Sequence, residues 1–301
     1  MTAPPSAEAS FRSGYVAIVG RPNVGKSTLL NALLGQKVAI TTRRPQTTRN
    51  RIIGVCTMPA AQIIFLDTPG IHDPRDRLGR YMVETALKSL EDVDQVLLVA
   101  EPRAPAEDDR TLIDTLKRAG RPCILAINKS DQVPSASLLP VVEVYRQMNV
   151  FMEIIPISSL KRTNLDRLVE VVVRGLPEGP MYYPEDVITD QMERFMAGEL
   201  IREAVMEQTR DELPYSVAVE VEEFTERESG AVYIRAVVYV ERESQKGIII
   251  GKGGRALKRI GSSARNQIAR MLATSVYLDL HVKRRDAWRQ DTKSLREFGY
   301  T

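Results

Sequence analysis

At 301 residues the chain is too long for one small core and suits two domains. Its 42 basic and 39 acidic side chains leave a net charge of +3, so any polyanionic partner has to be met by a local patch. Two cysteines without metal-ligand spacing, Cys56 and Cys123, exclude a disulfide framework, and no apolar run approaches the ~18 residues of a membrane span, so a soluble cytoplasmic protein is expected.

The first residues, with Pro4 and Pro5, lack the basic-plus-apolar pattern of a signal peptide, and a disordered tail is expected over 1–13. Tyr15-Val16-Ala17-Ile18-Val19 then reads as a buried strand, and Ser27 to Leu34 as a helix closed by Gly35. Between them lies Gly20-Arg21-Pro22-Asn23-Val24-Gly25-Lys26-Ser27, followed by Thr28. It fits the Gly-x-x-x-x-Gly-Lys-Ser/Thr pattern that wraps backbone N–H groups around phosphates at a helix N-terminus. Lys26 is assigned to the β- and γ-phosphates and the Ser27 hydroxyl to Mg²⁺.

Thr41 to Arg51 is polar, basic and rich in hydroxyls, with no hydrophobic period. A triphosphate site needs a threonine that completes the Mg²⁺ shell and registers the γ-phosphate; Thr48 is the choice and Thr47 the close alternative. Gln62 to Leu66 reads as a further buried strand ending in Asp67-Thr68-Pro69-Gly70. Asp67 is the candidate Mg²⁺ partner through water, and the Gly70 N–H the candidate γ-phosphate sensor.

Pro122 to Ile127 is another strand run, with Asn128-Lys129-Ser130-Asp131 at its end. A carboxylate at Asp131 accepts from guanine N1 and N2, which adenine cannot offer, so the base reads as guanine. Asn128 can tie this loop to the phosphate loop, and the Lys129 stem can cover the ring. Ile154 to Leu160 brings Ser158 and Ser159 to the base as one more strand end.

After the Gly175–Pro180 cluster the helix–strand alternation breaks, which divides a nucleotide domain over 14–180 from a second domain over 181–301. Thr189 to Arg210 reads as a long amphipathic helix; Ser216 to Phe224 and Ala231 to Val240 read as strands around a turn with Gly230. Residues 183–240 carry a net −9 and residues 241–301 a net +8, so one face is turned toward an anionic polymer. Gly251-Lys252-Gly253-Gly254, preceded by Ile250, fits a Gly-x-x-Gly loop of the kind that clamps a nucleic-acid backbone; alone the pattern reads as an ordinary turn, and the preceding isoleucines and the basic helix after it favour the clamp. A helix follows with apolar positions 257, 260, 264, 268 and 271, and Arg255, Lys258 and Arg259 lie mostly off that stripe. Val276 to Val282 is a final strand. His72 and His281 are given no catalytic role.

The five nucleotide segments, in this order, resemble the boxes of translation-factor-type P-loop GTPases, and Gln46-Thr47-Thr48-Arg49 with Asp67-Thr68-Pro69-Gly70 is similar to the Era family. The glycine loop, the Pro214-Tyr215-Ser216-Val217 strand entry and the Trp288…Leu295…Gly299-Tyr300 tail resemble the type II KH domain that closes Era proteins. The resemblance implies an α/β GTPase domain with a mostly parallel sheet flanked by helices, then a smaller α+β KH domain. It also implies slow GTP hydrolysis, Mg²⁺ as cofactor, and a monomer that binds the 3′ end of 16S rRNA during 30S assembly, with peripheral contact to the cell membrane as a secondary habit. In related GTPases an Asn at position 23 helps hold a K⁺ near the phosphates; here that role and simple shaping of the loop stand level. Two residues depart from wider patterns. Ser159 stands where the family usually carries Ala, with a backbone N–H expected to make the contact, and Ile71 stands where Ras-like enzymes place a water-orienting glutamine. The rival reading is a GTPase docking on a membrane or protein through basic residues such as Lys283-Arg284-Arg285.

Overall fold

A computed structural model describes residues 10–300. The polypeptide divides into two compact units. The first holds the described chain up to Lys37, Arg51–Ile71 and Ala86–Asp190. The second holds Val38–Asn50, His72–Thr85 and the described chain from Gln191 onward. These units group residues by contact, whereas the expected boundary at 180/181 divides the chain by motif. Two short segments that lie between first-unit stretches in sequence fold with the second unit, and the first unit runs ten residues further. That extension has a local cause: the Thr189 hydroxyl donates to Ile53 O, Val55 N–H donates to Ile188 O, and Gln62 ties down the backbone of Tyr182 and Tyr183.

The elements of the first part of the chain are β1 (Arg12–Val19), α1 (Lys26–Leu34), β2 (Ile52–Met58), β3 (Ala61–Asp67), α2 (Arg77–Lys88), β4 (Gln95–Ala100), α3 (Glu107–Ala119), β5 (Cys123–Ile127), α4 (Ser135–Arg146), β6 (Glu153–Pro156) and α5 (Leu165–Gly175). β1 starts at Arg12, inside the stretch expected to be a disordered tail; the remainder of that tail call, residues 1–9, lies outside the described residues. The sheet order is β2-β3-β1-β4-β5-β6, with β2 antiparallel to β3 and every other pair parallel. Strands β3, β4 and β5 are buried along their whole length, as a sheet covered on both faces requires. Because β1, β3, β5 and β6 run the same way, the segments that follow them emerge at one edge, where open α/β sheets place their ligands. Cys123 is buried, and desolvation pushes its thiol up to about 12, which leaves it unreactive; Cys56 is only half-buried rather than a full core residue.

The second unit adds α6 (Glu193–Gln208), β7 (Ala218–Glu226), β8 (Val232–Val240), α7 (Glu243–Ile250), α8 (Arg255–Leu272), β9 (Val276–Arg284) and α9 (Thr292–Glu297). β7 pairs antiparallel with β8, and β8 parallel with β9. Apolar residues of α6, α8 and the sheet form its core, including Leu200, Ile201, Val205, Ile234, Val238, Ile260, Ala264 and Ile268. α6 starts at Glu193, four residues later than expected, because Thr189 stays bonded to β2. It is also buried over most of its surface from Met196 to Met206, including Arg202 and Glu203, rather than along one stripe. The stripe on α8 is present as read, with Ile260, Ala264 and Ile268 buried and Leu257 and Met271 packed against them.

Candidate functional site

The loop between β1 and α1 is shaped by close approaches. Gly20 has φ +152, and a Cβ there would stand 2.4 Å from Val99 O. Gly25 has φ +100, and a Cβ would stand 2.3 Å from Asn128 Nδ2. Both positions therefore demand glycine, for conformation and for space. Asn23 takes the left-handed region at φ 66, which Asn tolerates better than most residues, and it is exposed. Lys26 is only 6% exposed; its Nζ donates to Gly20 O at 3.1 Å and Arg21 O at 3.0 Å, curling the loop over the ammonium. Desolvation lowers Lys26 from 10.5 to about 8, against the opposing pull of Asp67.

The Ser27 hydroxyl donates to Asp67 Oδ2 at 2.6 Å. A hydroxyl and a buried carboxylate side by side at a helix N-terminus are hard oxygen donors of the kind Mg²⁺ prefers, so the donor set fits the ion. Thr68 Oγ1 donates to Ile18 O at 2.8 Å, which holds the Asp67-Thr68-Pro69-Gly70 turn against β1. Gly70 is buried with ordinary φ. A Cβ there would stand 2.7 Å from Pro22 N and 2.8 Å from Pro22 Cα, so here the reason for glycine is contact with the phosphate loop. Ile71 N–H donates to Gly20 O, and the Ile71 side chain packs into the first unit's core. Position 71 therefore offers no side-chain polar group toward an attacking water.

At the other end, Asn128 is 2% exposed and makes three bonds. Its Nδ2 donates to Val24 O in the phosphate loop, and its Oδ1 accepts from both the N–H and the hydroxyl of Ser159, all at 2.9 Å. The tie from Asn128 to the phosphate loop is present as read. The Ser159 N–H donates to Asn128 Oδ1, and the serine hydroxyl doubles that bond. Asp131 is exposed, and its Oδ1 accepts from the Ser158 hydroxyl at 2.5 Å, which orients the carboxylate. Lys129, at φ 60, extends its Nζ to Glu101 Oε1 at 2.6 Å. Burial works against the Glu101 charge, but Lys129 and Arg103 hold its carboxyl below the usual range. Glu101 was not legible as a site residue, because it follows β4 without any motif.

Thr47 and Thr48 belong to the second unit, in the segment Val38–Asn50; Thr48 is buried, and Thr47 Oγ1 shares a hydrogen bond with Thr42 Oγ1 at 2.8 Å.

The glycine loop sits between α7 and α8. Gly251, Gly253 and Gly254 all have positive φ (68, 61 and 74), so the turn depends on glycine at each. Beyond Gly253 and Gly254 an added Cβ would meet nothing within 4 Å, so the loop is open on that side. Ile250 is half-buried at the end of α7, and Arg255 Nε donates to Lys252 O at 3.2 Å. Lys252, Lys258 and Arg259 are exposed and make no ion pair among the described residues. The basic run Lys283-Arg284-Arg285 is different: each side chain is ion-paired, with Glu222 at 3.0 Å, Asp286 at 2.8 Å and Glu297 at 2.5 Å. Among the described residues no helix is long and apolar enough to cross a membrane.

A phosphate loop and a base loop at one edge of a mostly parallel sheet define a P-loop GTPase domain, and the order α6-β7-β8-α7-α8-β9 with its glycine turn defines a type II KH domain. The comparisons with known proteins agree. A family model described as 50S ribosome-binding GTPase matches residues 15–129, and one described as KH domain matches 212–289. The chain is 52% identical to GTPase Era of Geobacter metallireducens, over 97% of this chain and 98% of the relative, and 49% identical to GTPase Era of Heliobacterium modesticaldum, over 96% and 97%. Among solved structures, Era in complex with MgGDPNP and nucleotides 1506–1542 of 16S ribosomal RNA superposes with a TM-score of 0.94 at 44% identity, covering 97% of this chain and 99% of that one. An Aquifex aeolicus Era variant bound to GDP and aluminium fluoride gives the same TM-score and identity, covering 97% and 100%. The chain belongs to the Era family of GTPases.

Proposed function

We propose that this GTPase binds and hydrolyses GTP and uses its KH domain to bind the 3′ region of 16S rRNA in assembly and maturation of the 30S subunit. One observation carries the reading. A guanine-nucleotide site and an open, backbone-clamping glycine loop occur together on a chain that matches, over nearly its full length, a relative solved with both a GTP analogue and a 16S rRNA fragment. The family description naming the 50S particle matches only 15–129, a stretch without the KH domain, so the near full-length relatives weigh more.

In this reading the G domain spans 14–180 and the linker helix and KH domain 181–301. The phosphate loop from Gly20 to Thr28 and the turn Asp67–Gly70 take the phosphates, while Asn128, Lys129, Asp131, Ser158 and Ser159 take the base. Lys26 stabilises charge on the β- and γ-phosphates. Ser27, Asp67 and Thr48 hold Mg²⁺, which supplies charge neutralisation at the phosphates when bound; Thr48 and Gly70 register the γ-phosphate, and Thr47 is the alternative ligand. With an apolar residue at 71, unassisted hydrolysis is slow. Asn23 is the candidate contact for K⁺; turnover that is equal in K⁺ and Na⁺ removes that role. Ile250, Gly251, Lys252, Gly253, Gly254, Arg255, Lys258 and Arg259 face the RNA. The protein works in the cytoplasm as a monomer, with any membrane contact peripheral.

The membrane-docking alternative is weakened by the ion pairs that neutralise Lys283, Arg284 and Arg285. Cosedimentation tests the reading directly. The full chain should pellet with purified small subunits in GTP analogue and far less in GDP; equal pelleting with anionic vesicles and none with subunits would overturn it.

A further inference from the structure

β4 and β5 are parallel neighbours in register Ala100↔Ile127, and Asn128 N–H donates to Ala100 O at 2.8 Å, so both strands end at the same level. The residue after β4 is therefore set beside the start of the base loop. That residue is Glu101, which none of the nucleotide motifs contains. Lys129 leaves the loop from a left-handed backbone, φ 60, and its Nζ reaches Glu101 Oε1 at 2.6 Å. In the sheet β4 lies between β5 and β1. The lysine side chain thus crosses from the base loop toward the strand next to the phosphate loop, over ground that a nucleotide joining the two loops has to cover.

Glu101 is itself held. Its Oε2 pairs with Arg103 Nε at 3.5 Å, and Arg103 Nη1 pairs with Asp109 Oδ2 at 2.8 Å. Arg103 also donates through Nη1 to Ala104 O at 3.1 Å and through its N–H to Glu101 O at 2.8 Å, which closes the turn after β4. The buried Asp109 accepts in addition from Ala106 N–H at 2.9 Å, so the contacts end in the first turn of α3. Side-chain exposures of 27% for Lys129 and 35% for Glu101 take their pair partly out of water, where it is screened less than a surface pair. The same segment carries a contrasting pair. Arg21 of the phosphate loop meets Asp108 at 2.8 Å, but Asp108 is 72% exposed, and such a pair contributes little.

A lysine is among the side chains with most rotamer freedom to lose on being ordered against a ligand. With one end of Lys129 fixed by the loop backbone and the other by Glu101, its four-carbon stem is ordered before nucleotide arrives, and the loss at binding is smaller. An unpaired ammonium would turn outward to water and take the stem with it.

We propose that Glu101 is a positioning residue for the guanine nucleotide, acting through Lys129, with Arg103 and Asp109 holding its carboxylate. This role rests on the reading of Lys129 as a base-loop residue, and the experiment keeps the two apart. GTP and GDP affinity, nucleotide release rate, kcat and KM are measured on the full chain carrying Glu101→Gln, Lys129→Met, both together, or Asp108→Asn. Glu101→Gln should weaken GTP and GDP alike, about three- to tenfold and through faster release, and raise KM while kcat stays within about twofold. Added to Lys129→Met it should change affinity by less than about twofold, because the partner through which it acts is gone. Asp108→Asn should leave affinity within about twofold, which separates the effect from loss of any carboxylate on this segment. If Lys129→Met weakens binding while Glu101→Gln leaves it unchanged or tighter, the base-loop reading stands and the positioning role is overturned. The role is overturned as well if Glu101→Gln weakens binding equally with and without Lys129, or if Asp108→Asn weakens it as much. If Lys129→Met leaves affinity unchanged, the base-loop reading of this lysine falls and the role of Glu101 falls with it.

Discussion

Asn128 Oδ1 accepts two hydrogen bonds from a single residue, Ser159, while its amide nitrogen holds the phosphate loop at Val24 O. One buried amide thus fixes the distance between the loop that meets the phosphates and the loops that meet the base. Asn128→Ala leaves the Val24 carbonyl and the Ser159 donors without this partner, at about 1–3 kcal/mol for each buried group. Affinity for both GTP and GDP should fall by roughly a hundredfold or more. Ser159→Ala keeps the backbone donor and should change affinity by less than about tenfold. Titration of a fluorescent nucleotide into both variants checks the order; equal losses would contradict it.

Lys26 gives a pH dependence of known sign. Its value in the folded chain is about 8 against 10.5, so it opposes folding below about pH 8 and that opposition fades as pH rises toward 10.5. Phosphate binding has the reverse sign, because it selects the charged lysine. GTP affinity should be flat below about pH 8 and fall above it, by roughly tenfold across one to two pH units. Lys26→Met reports what guanine's own titration contributes. Parallel slopes in wild type and Lys26→Met would refute the assignment.

At Gly70 an added Cβ meets backbone atoms of Pro22, which cannot swing aside. Gly70→Ala should therefore shift the turn after β3, at about 1–3 kcal/mol. If this N–H senses the γ-phosphate, GTP-analogue affinity should drop by roughly tenfold or more while GDP affinity changes little. The affinity ratio, read by competition, decides it; equal changes for both nucleotides would leave Gly70 a packing residue.

The nucleotide motifs were legible because each one is local: a strand end, a short loop and a helix start, with chemistry set by a few residue types. The hydrogen bonds by which Arg49 reaches Val217 O and the Tyr300 hydroxyl were not. Val217 and Tyr300 lie 168 and 251 residues away in sequence, and an arginine in a hydroxyl-rich basic stretch reads as solvated until the fold buries it. The same separation hid the grouping of 38–50 and 72–85 with the second unit. The run Lys283-Arg284-Arg285 misled in the opposite direction, since a partner such as Glu222, on β7 across the intervening β8, cancels a charge that looks free in sequence. On α6, burial all round blurred the period from which its start could have been read.

The central claim is that nucleotide state governs RNA binding at the Gly251–Gly254 loop. Its most direct test is binding of a single-stranded RNA matching the 3′ end of small-subunit rRNA, with GTP analogue and with GDP. Wild type is set beside a Lys252→Asp/Gly253→Asp double variant, with GTP affinity as the control for folding. The account predicts tight binding favoured by the analogue and lost in the variant. Binding that is absent, or unmoved by the loop change, would contradict it.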